Sequence, residues 1–255
     1  MRIIFSILFF YGLYPAFSQK SNNVTDTYYA FDTNWKPSSL ENATYLSLVR
    51  KSNDTTYRWY NYNIDGPLFS VETYEDDSYS ILNGFVAYYD KDGMIDSSGY
   101  VKKGKRDKTW YFYTDTLSII FQKDYEDGKL IRTIDLESKR KEDSSNEKIP
   151  EGFEEVEKEA DFKGGVKSWV KYLEKNLQFP KRAENLRKSG QVMIGFAVDT
   201  DGSTKELFIV KSVELSLDME AWRLIEISPK WDPAVQKGKN VKAYRRQPIT
   251  FAFSD

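Results

Sequence analysis

The side chains that could support chemistry in this 255-residue chain are limited, because the sequence contains no histidine and no cysteine. A Ser-His-Asp triad and a cysteine nucleophile are excluded. Zinc sites built from His and Cys, and haem or iron–sulfur ligation by these residues, are excluded as well. No disulfide can form, so packing alone must stabilise the fold. Carboxylate chemistry remains, because the chain has 39 Asp and Glu residues.

Two acidic motifs resemble the opening of a calcium-binding loop, namely residues 90–93 (Asp-Lys-Asp-Gly) and 199–202 (Asp-Thr-Asp-Gly). A twelve-residue calcium loop also needs a glutamate at its last position, and neither motif has one in register. Both motifs flank predicted strands, which favours hairpin turns. No pair of carboxylates is singled out for glycoside hydrolysis. The sequence therefore predicts no catalytic residue, no metal site and no cofactor, and an exported hydrolase is the least favoured function.

The N-terminus has the pattern of an export signal. A basic start is followed by an uncharged, mostly apolar run over residues 3–17, and small residues precede Gln19. This pattern predicts a secretory signal peptide over residues 1–18 that is cleaved after Ser18. The mature protein is then expected to be soluble and exported. An uncleaved inner-membrane anchor facing the periplasm is the alternative, although the run is shorter than the ~20 residues that span a bilayer.

Residues 19–134 have the pattern of an antiparallel sheet, because short aromatic and β-branched runs alternate with Asp-Gly and Lys-Gly turns. Within this region, residues 99–105, 110–113 and 125–130 combine a Gly-aromatic pair, Gly-Lys turns and an aromatic run. The arrangement resembles the bacterial MORN-type repeat, without the glycine that the family has before Trp110. The resemblance implies a scaffold or binding surface made of stacked hairpins. An ordinary twisted antiparallel sheet is the alternative.

Residues 135–160 are acidic and poor in apolar side chains. Ten acidic and five basic residues give this stretch a net charge of −5. Such a composition predicts a solvated linker between two domains.

Residues 161–255 have regular hydrophobic periodicity. A helical pattern over 166–177 places five apolar residues on one face: Val166, Trp169, Val170, Leu173 and Leu177. A short helix from Lys181, two strands, a helix around 217–227 and a last strand over 241–253 follow. The predicted fold class is α+β, with an N-terminal antiparallel β-meander and a C-terminal domain of two helices on a three-stranded antiparallel sheet.

The C-terminal region resembles the TonB C-terminal domain family, in the form common in Bacteroidetes. The similarity covers 160–253 in order, and it departs at Ala160 and Lys163, where the family favours prolines. Five segments carry it: 161–165 (Asp-Phe-Lys-Gly-Gly), 176–180 (Asn-Leu-Gln-Phe-Pro), 190–202, 229–234 and 238–251. The resemblance implies a role in TonB-dependent transmembrane transport, in which the domain binds the extended TonB box of an outer-membrane transporter as an added strand.

The resemblance places partner binding on the last strand and on a nearby aromatic-Pro element. The implied partner-binding residues are Phe179, Pro180, Val241, Lys242, Arg245, Arg246, Ile249, Phe251 and Phe253. An edge strand offers unpaired N–H and C=O groups that an extended peptide can satisfy. With 17 basic and 12 acidic residues, 161–255 has a net charge of +5, which could steer an acidic partner. Alternatively, the cations only prevent edge-to-edge aggregation and Phe179 only ends a helix and packs in the core.

Two non-enzymatic functions remain open. The first is a periplasmic TonB-like adaptor without proton-motive coupling of its own, since a cleaved signal leaves no anchor and the linker has only 26 residues. An uncleaved N-terminus would restore an energy transducer with inner-membrane motor partners. The second is a cell-envelope scaffold or assembly protein that homodimerises through the same edge strand. The overall charge of −2 gives no reason to expect nucleic acid binding.

Overall fold

The computed structural model describes two compact units, an all-β unit that ends at Ser138 and an α+β unit that begins at Val156. The described residues are 17–21, 24–51, 56–76, 79–114, 118–138 and 156–253. The predicted signal peptide lies outside them except for its last two residues, and so do residues 139–155 of the predicted linker. No helix in the described ranges is long and apolar enough to cross a membrane.

The N-terminal unit is a ten-stranded antiparallel sheet in which each strand pairs with its neighbours in sequence, in the order β1 to β10. The strands are β1 (Phe17–Ser21), β2 (Val24–Phe31), β3 (Tyr45–Lys51), β4 (Tyr57–Asn63), β5 (Leu68–Tyr74), β6 (Gly84–Tyr89), β7 (Ile95–Lys102), β8 (Lys105–Tyr113), β9 (Ile119–Glu126) and β10 (Lys129–Asp135). The antiparallel meander is therefore confirmed, whereas its likeness to MORN repeats remains a resemblance.

Aromatic side chains form much of the core of this sheet. One cluster contains Tyr29, Phe31, Val49 and Trp59, and a second contains Val86, Val101 and Trp110. A row of hydrogen bonds crosses three neighbouring strands: Ser47 Oγ donates to Asn61 Oδ1 at 2.7 Å, and Asn61 Nδ2 donates to Ser70 Oγ at 3.0 Å. These three buried polar side chains thus satisfy one another across the strands.

The C-terminal unit follows the predicted order of helices and strands. Its elements are α1 (Gly165–Asn176), α2 (Lys181–Asn185), β11 (Gly190–Val198), β12 (Thr204–Lys211), α3 (Leu215–Glu226), β13 (Ala234–Gln236), β14 (Lys239–Val241) and β15 (Ala243–Phe251). The main sheet has the strand order β12-β11-β15, and β13 and β14 form a separate hairpin. The predicted last strand over 241–253 is therefore divided, because Val241 ends β14 and β15 begins at Ala243.

Helix α1 is anchored through its aromatic residues. Trp169 packs against Phe162 and Trp231, with ring centroids 5.2 and 5.6 Å apart. Val166 and Val170 are 72% and 45% exposed, so the prediction that they share the buried face is wrong. The part of α1 that is buried is narrower than the row of apolar residues on its surface, because Trp169 is the one buried residue of this helix.

The C-terminal unit also includes the end of the predicted linker. Lys158 pairs with Val235 and Asp161 pairs with Asp232 as isolated β-bridges. Ala160 between them is only 2% exposed. This segment joins the fold through main-chain groups, which explains why its polar side chains do not reveal the pairing.

Candidate functional site

Strand β15 lies at one edge of the three-stranded sheet, as the sequence predicts. It pairs with β11 along its whole length, from Gly190 opposite Phe251 to Val198 opposite Ala243. No other strand in the described part of the chain pairs with it. An edge strand presents a row of main-chain donors and acceptors on its outer side. Since the inner side is held by β11, a further strand could be added without rearranging the sheet.

Pro248 indicates which backbone groups point outward. Proline has no N–H, and an edge strand accommodates it with the nitrogen on the unpaired side. Groups two residues apart point the same way, so Pro248 and Thr250 direct their backbone groups outward, and Ile249 and Phe251 direct theirs to β11. The side chains alternate as well, because Ile249 and Phe251 are buried whereas Pro248 and Thr250 are exposed.

The predicted aromatic residues meet at the C-terminal end of β15. The ring of Phe179 lies 4.9 Å from that of Phe253 and 6.1 Å from that of Phe251, measured between centroids. Phe253 is 46% exposed, whereas Phe251 is 2% exposed and belongs to the core. Phe179 and the following Pro180 are half-buried. The structure thus brings Phe179, Phe251 and Phe253, here called the strand-end cluster, together beside the open edge.

Helix α3 holds the segment that carries Phe179. The main-chain N–H of Gln178 donates to Glu220 Oε1 at 2.8 Å. Arg223 pairs with the same carboxylate at 2.7 Å and donates to the carbonyl oxygen of Asn176 at 2.7 Å. The Glu220 hydrogen bond raises the pKa of Arg223 above its usual value. The sequence analysis did not identify Glu220 and Arg223. Their only local signal is a Glu-x-x-Arg spacing on a helix.

Lys242 and Arg245, which are among the predicted partner-binding residues, pair with acidic residues of the same unit. Lys242 Nζ lies 2.5 Å from Glu206 Oε1, and the Tyr244 hydroxyl donates to the same carboxylate. Hydrogen bonds from Lys242 and Tyr244 hold the pKa of Glu206 below its usual value. These interactions offset the charge of Lys242, so it contributes less to steering than its formal charge suggests.

Arg245 faces the covered side of β15. Its guanidinium donates to the carbonyl oxygen of Ala160 and lies 3.0 Å from Asp161 Oδ1. Arg246 is exposed on the other face. Val241 and Lys242 precede β15 at the end opposite the strand-end cluster, about 31–34 Å along the chain from Phe251 at ~3.4 Å per residue. The predicted site residues are therefore spread from the two residues before β15 to the strand-end cluster rather than gathered in a single pocket.

A family comparison matches this region. Residues 175–253 match the model of the Gram-negative bacterial TonB protein C-terminal domain. The match begins within α1 and includes the whole main sheet, β15 and Phe179. Comparisons with curated proteins and with solved structures gave no match. Residues 175–253 are thus similar to the C-terminal domain of TonB proteins, a family that acts at the cell envelope and interacts with outer-membrane TonB-dependent transporters.

Proposed function

We propose that the C-terminal unit binds the extended TonB box of outer-membrane transporters as a strand added to the outer side of β15. The observation that carries this proposal is the position of β15, which is an edge strand inside the range that matches the family. Main-chain hydrogen bonds along an edge supply affinity with little dependence on peptide sequence, and side-chain pockets supply specificity.

The C-terminal half of β15 is the core of the proposed contact. The outward carbonyl of Pro248 and both outward groups of Thr250 would pair with the main chain of the peptide. Each such hydrogen bond contributes about 1 kcal/mol net. The exposed ring of Phe253, with Phe179 and Pro180 beside it, would contact an apolar side chain of the peptide.

We further propose that the protein acts in the periplasm as an adaptor, after cleavage of residues 1–18. In this view it connects transporters to a partner rather than coupling them to the proton-motive force itself. Retention of residues 1–18 as an anchor would instead make it an energy transducer with inner-membrane motor partners.

Replacement of Thr250 by proline tests strand addition. Thr250→Pro removes an outward N–H but leaves the hydrogen bonds between Ile249, Phe251 and β11 in place. Thr250→Ala is the matched control, because it removes the exposed side chain and its 3.3 Å bond from Gln191 but keeps the main-chain donor. We expect T250P to weaken binding of transporter TonB-box peptides about tenfold, and T250A to change it by less than about twofold. Fluorescence anisotropy with the full-length protein measures both.

Equal affinities of the two variants would contradict strand addition at β15. Thermal unfolding checks that T250P remains folded. The proposal would also be contradicted if no TonB-box peptide bound and analytical ultracentrifugation showed a dimer that T250P dissociates. Together these results would favour self-assembly through the same edge.

A further inference from the structure

One hairpin of the N-terminal unit is strongly cationic. Residues 102–108, Lys-Lys-Gly-Lys-Arg-Asp-Lys, carry five positive charges and one negative charge. Residues 19–134 as a whole have 14 basic and 17 acidic residues, so the hairpin has the opposite sign to its surroundings. The turn itself requires only Lys103 and Gly104 at φ angles of 49° and 78°. Turn formation therefore does not explain the accumulation of lysines.

A cleft of about 430 Å³ lies beside this hairpin. Six of the residues that line it can contact a polar ligand: Asn83, Tyr100, Lys102, Lys103, Asp107 and Lys108. The ring of Tyr100 is 47% exposed, and Lys108 Nζ lies 5.1 Å from its centroid. The cleft thus combines an aromatic surface with several charged groups.

Two neighbouring aromatic residues contact Tyr100. Trp110 Nε1 donates to the main-chain oxygen of Tyr100 at 2.9 Å. The ring of Phe85 meets that of Tyr100 edge-on, with centroids 6.1 Å apart. Since the main chain of Tyr100 is anchored and its ring packs against Phe85, stacking of a ligand on the exposed ring costs less conformational freedom than stacking on an unrestrained side chain would.

The lysines of the cleft have no acidic partner among the described residues, although Lys108 lies over the ring of Tyr100. In the part of the chain that the structure describes, none of Lys102, Lys103 and Lys108 forms an ion pair, and all three are exposed. Three ammonium groups favour an anionic ligand. Asp107 and Asn83 add hydrogen-bond acceptors, which would disfavour a small bare anion but suit hydroxyl groups.

We propose that this cleft binds an anionic saccharide, a sugar that carries carboxylate or phosphate groups. The apolar C–H face of the sugar would stack on Tyr100, its hydroxyl groups would donate to Asp107 and Asn83, and Lys102 and Lys108 would pair with its anionic groups. A neutral sugar would leave the lysines without a function, and a bare anion would leave Tyr100 without one. This inference is independent of peptide binding by the C-terminal unit.

Calorimetry with the full-length protein tests the proposal. The probes are tetragalacturonate, neutral maltotetraose and inorganic phosphate. We expect tetragalacturonate to bind at least about tenfold more tightly than either of the other two probes, with an affinity that falls as salt is added. The double variant K102E/K108E should weaken tetragalacturonate binding about tenfold. Tyr100→Ala should weaken it about fivefold, and Tyr100→Phe should keep the wild-type affinity, because Phe retains the ring.

The double variant K36E/K129E provides the matched control, since Lys36 and Lys129 are exposed lysines of the same unit outside the cleft and the charge change equals that of K102E/K108E. It should keep the wild-type affinity, and thermal unfolding should show that all variants are folded. Equal weakening by K36E/K129E would show that the effect comes from net charge alone and would overturn the site. Phosphate binding as tight as that of tetragalacturonate, or binding of anionic phospholipid vesicles without binding of any saccharide, would overturn the ligand class.

Discussion

Single carboxyl groups in this protein act mainly as structural acceptors. Glu214 and Asp218 are both 0% exposed. Glu214 accepts from the N–H of Ser216 at 2.8 Å and from Arg182 Nε at 2.6 Å. Asp218 accepts from Ser212 Oγ at 2.5 Å and from the N–H of Val213 at 3.0 Å. A buried carboxylate is tolerated when it is paired in this way. These interactions give both residues a structural role that the sequence pattern did not show.

Glu72 of β5 differs, because burial raises its pKa above the ordinary value, although hydrogen bonds from Tyr74, Ser70 and Asn61 oppose the shift. The folded state therefore favours the neutral form of Glu72 more than the unfolded chain does. Stability from this group is fully present below the ordinary value of 4.5 and is lost as the pH rises toward the folded-state pKa. We predict that Glu72→Gln raises the unfolding free energy at pH 7 and leaves it nearly unchanged at pH 4.

Urea unfolding followed by tyrosine and tryptophan fluorescence at both pH values measures the effect of Glu72→Gln. The Gln side chain keeps an acceptor for the Tyr74 hydroxyl, which donates to Glu72 Oε2 at 2.8 Å. A gain of equal size at pH 4 and pH 7 would show that protonation is not the cause.

At the scale of the elements, two strands place a glycine beneath an aromatic ring. A Cβ on Gly99 of β7 would lie 2.4 Å from Cγ of Trp110, and a Cβ on Gly195 of β11 would lie 2.3 Å from Cζ of Phe208. The ring fills the space that a side chain would occupy, so the sheet gains contact area where the glycine alone would weaken it. A glycine inside an alternating strand pattern is the sequence signal for such a close approach.

We predict that Gly195→Ala destabilises the protein by about 1–3 kcal/mol, because the ring of Phe208 must move. The same change in a Phe208→Ala background should cost clearly less, since the ring is gone. Chemical unfolding of the two single variants and the double variant gives the coupling energy. Additive effects would contradict the proposed contact.

The sequential strand order of the N-terminal sheet could be predicted from the sequence, because it depends on local alternation and on Gly-containing turns. The central position of β11 in the C-terminal sheet was not predicted, because its pairing with β15 joins segments far apart in the chain. Contacts between side chains that lie far apart in the chain could not be predicted. The partners of Lys242 and Arg245 are Glu206 and Asp161, which lie 36 and 84 residues away in the chain. Hydrophobic periodicity carries no information about such pairs. Likewise, the helical period predicts that Val166 lies on the apolar stripe of α1. It does not show that the surface against which α1 packs ends before it reaches Val166.

At the scale of the whole molecule, the C-terminal unit is larger than the part that matches the family. Phe162 and Trp169 precede residue 175, yet both are buried and pack with Trp231. Phe162 lies 5.3 Å from Trp231 between ring centroids. The core of this unit therefore depends on residues outside the matched range.

We predict that a fragment of residues 156–255 folds alone and unfolds cooperatively, whereas a fragment of residues 175–255 does not. The shorter fragment loses Trp169 and Phe162 and leaves Trp231 exposed, and loss of a single buried aromatic side chain costs about 3–5 kcal/mol. Near-UV circular dichroism and amide NMR dispersion distinguish the outcomes. A well-dispersed spectrum of the shorter fragment would contradict this view of the core.

Sequential pairing in the N-terminal sheet has a consequence for how the domain forms and how it can evolve. Each strand pairs only with the strands before and after it in the chain, so every pairing closes a short loop, and low contact order favours fast folding. Hairpins can assemble one after another as the polypeptide emerges, without waiting for distant segments. For the same reason, duplication or deletion of one hairpin would lengthen or shorten the sheet without rerouting the remainder of the backbone.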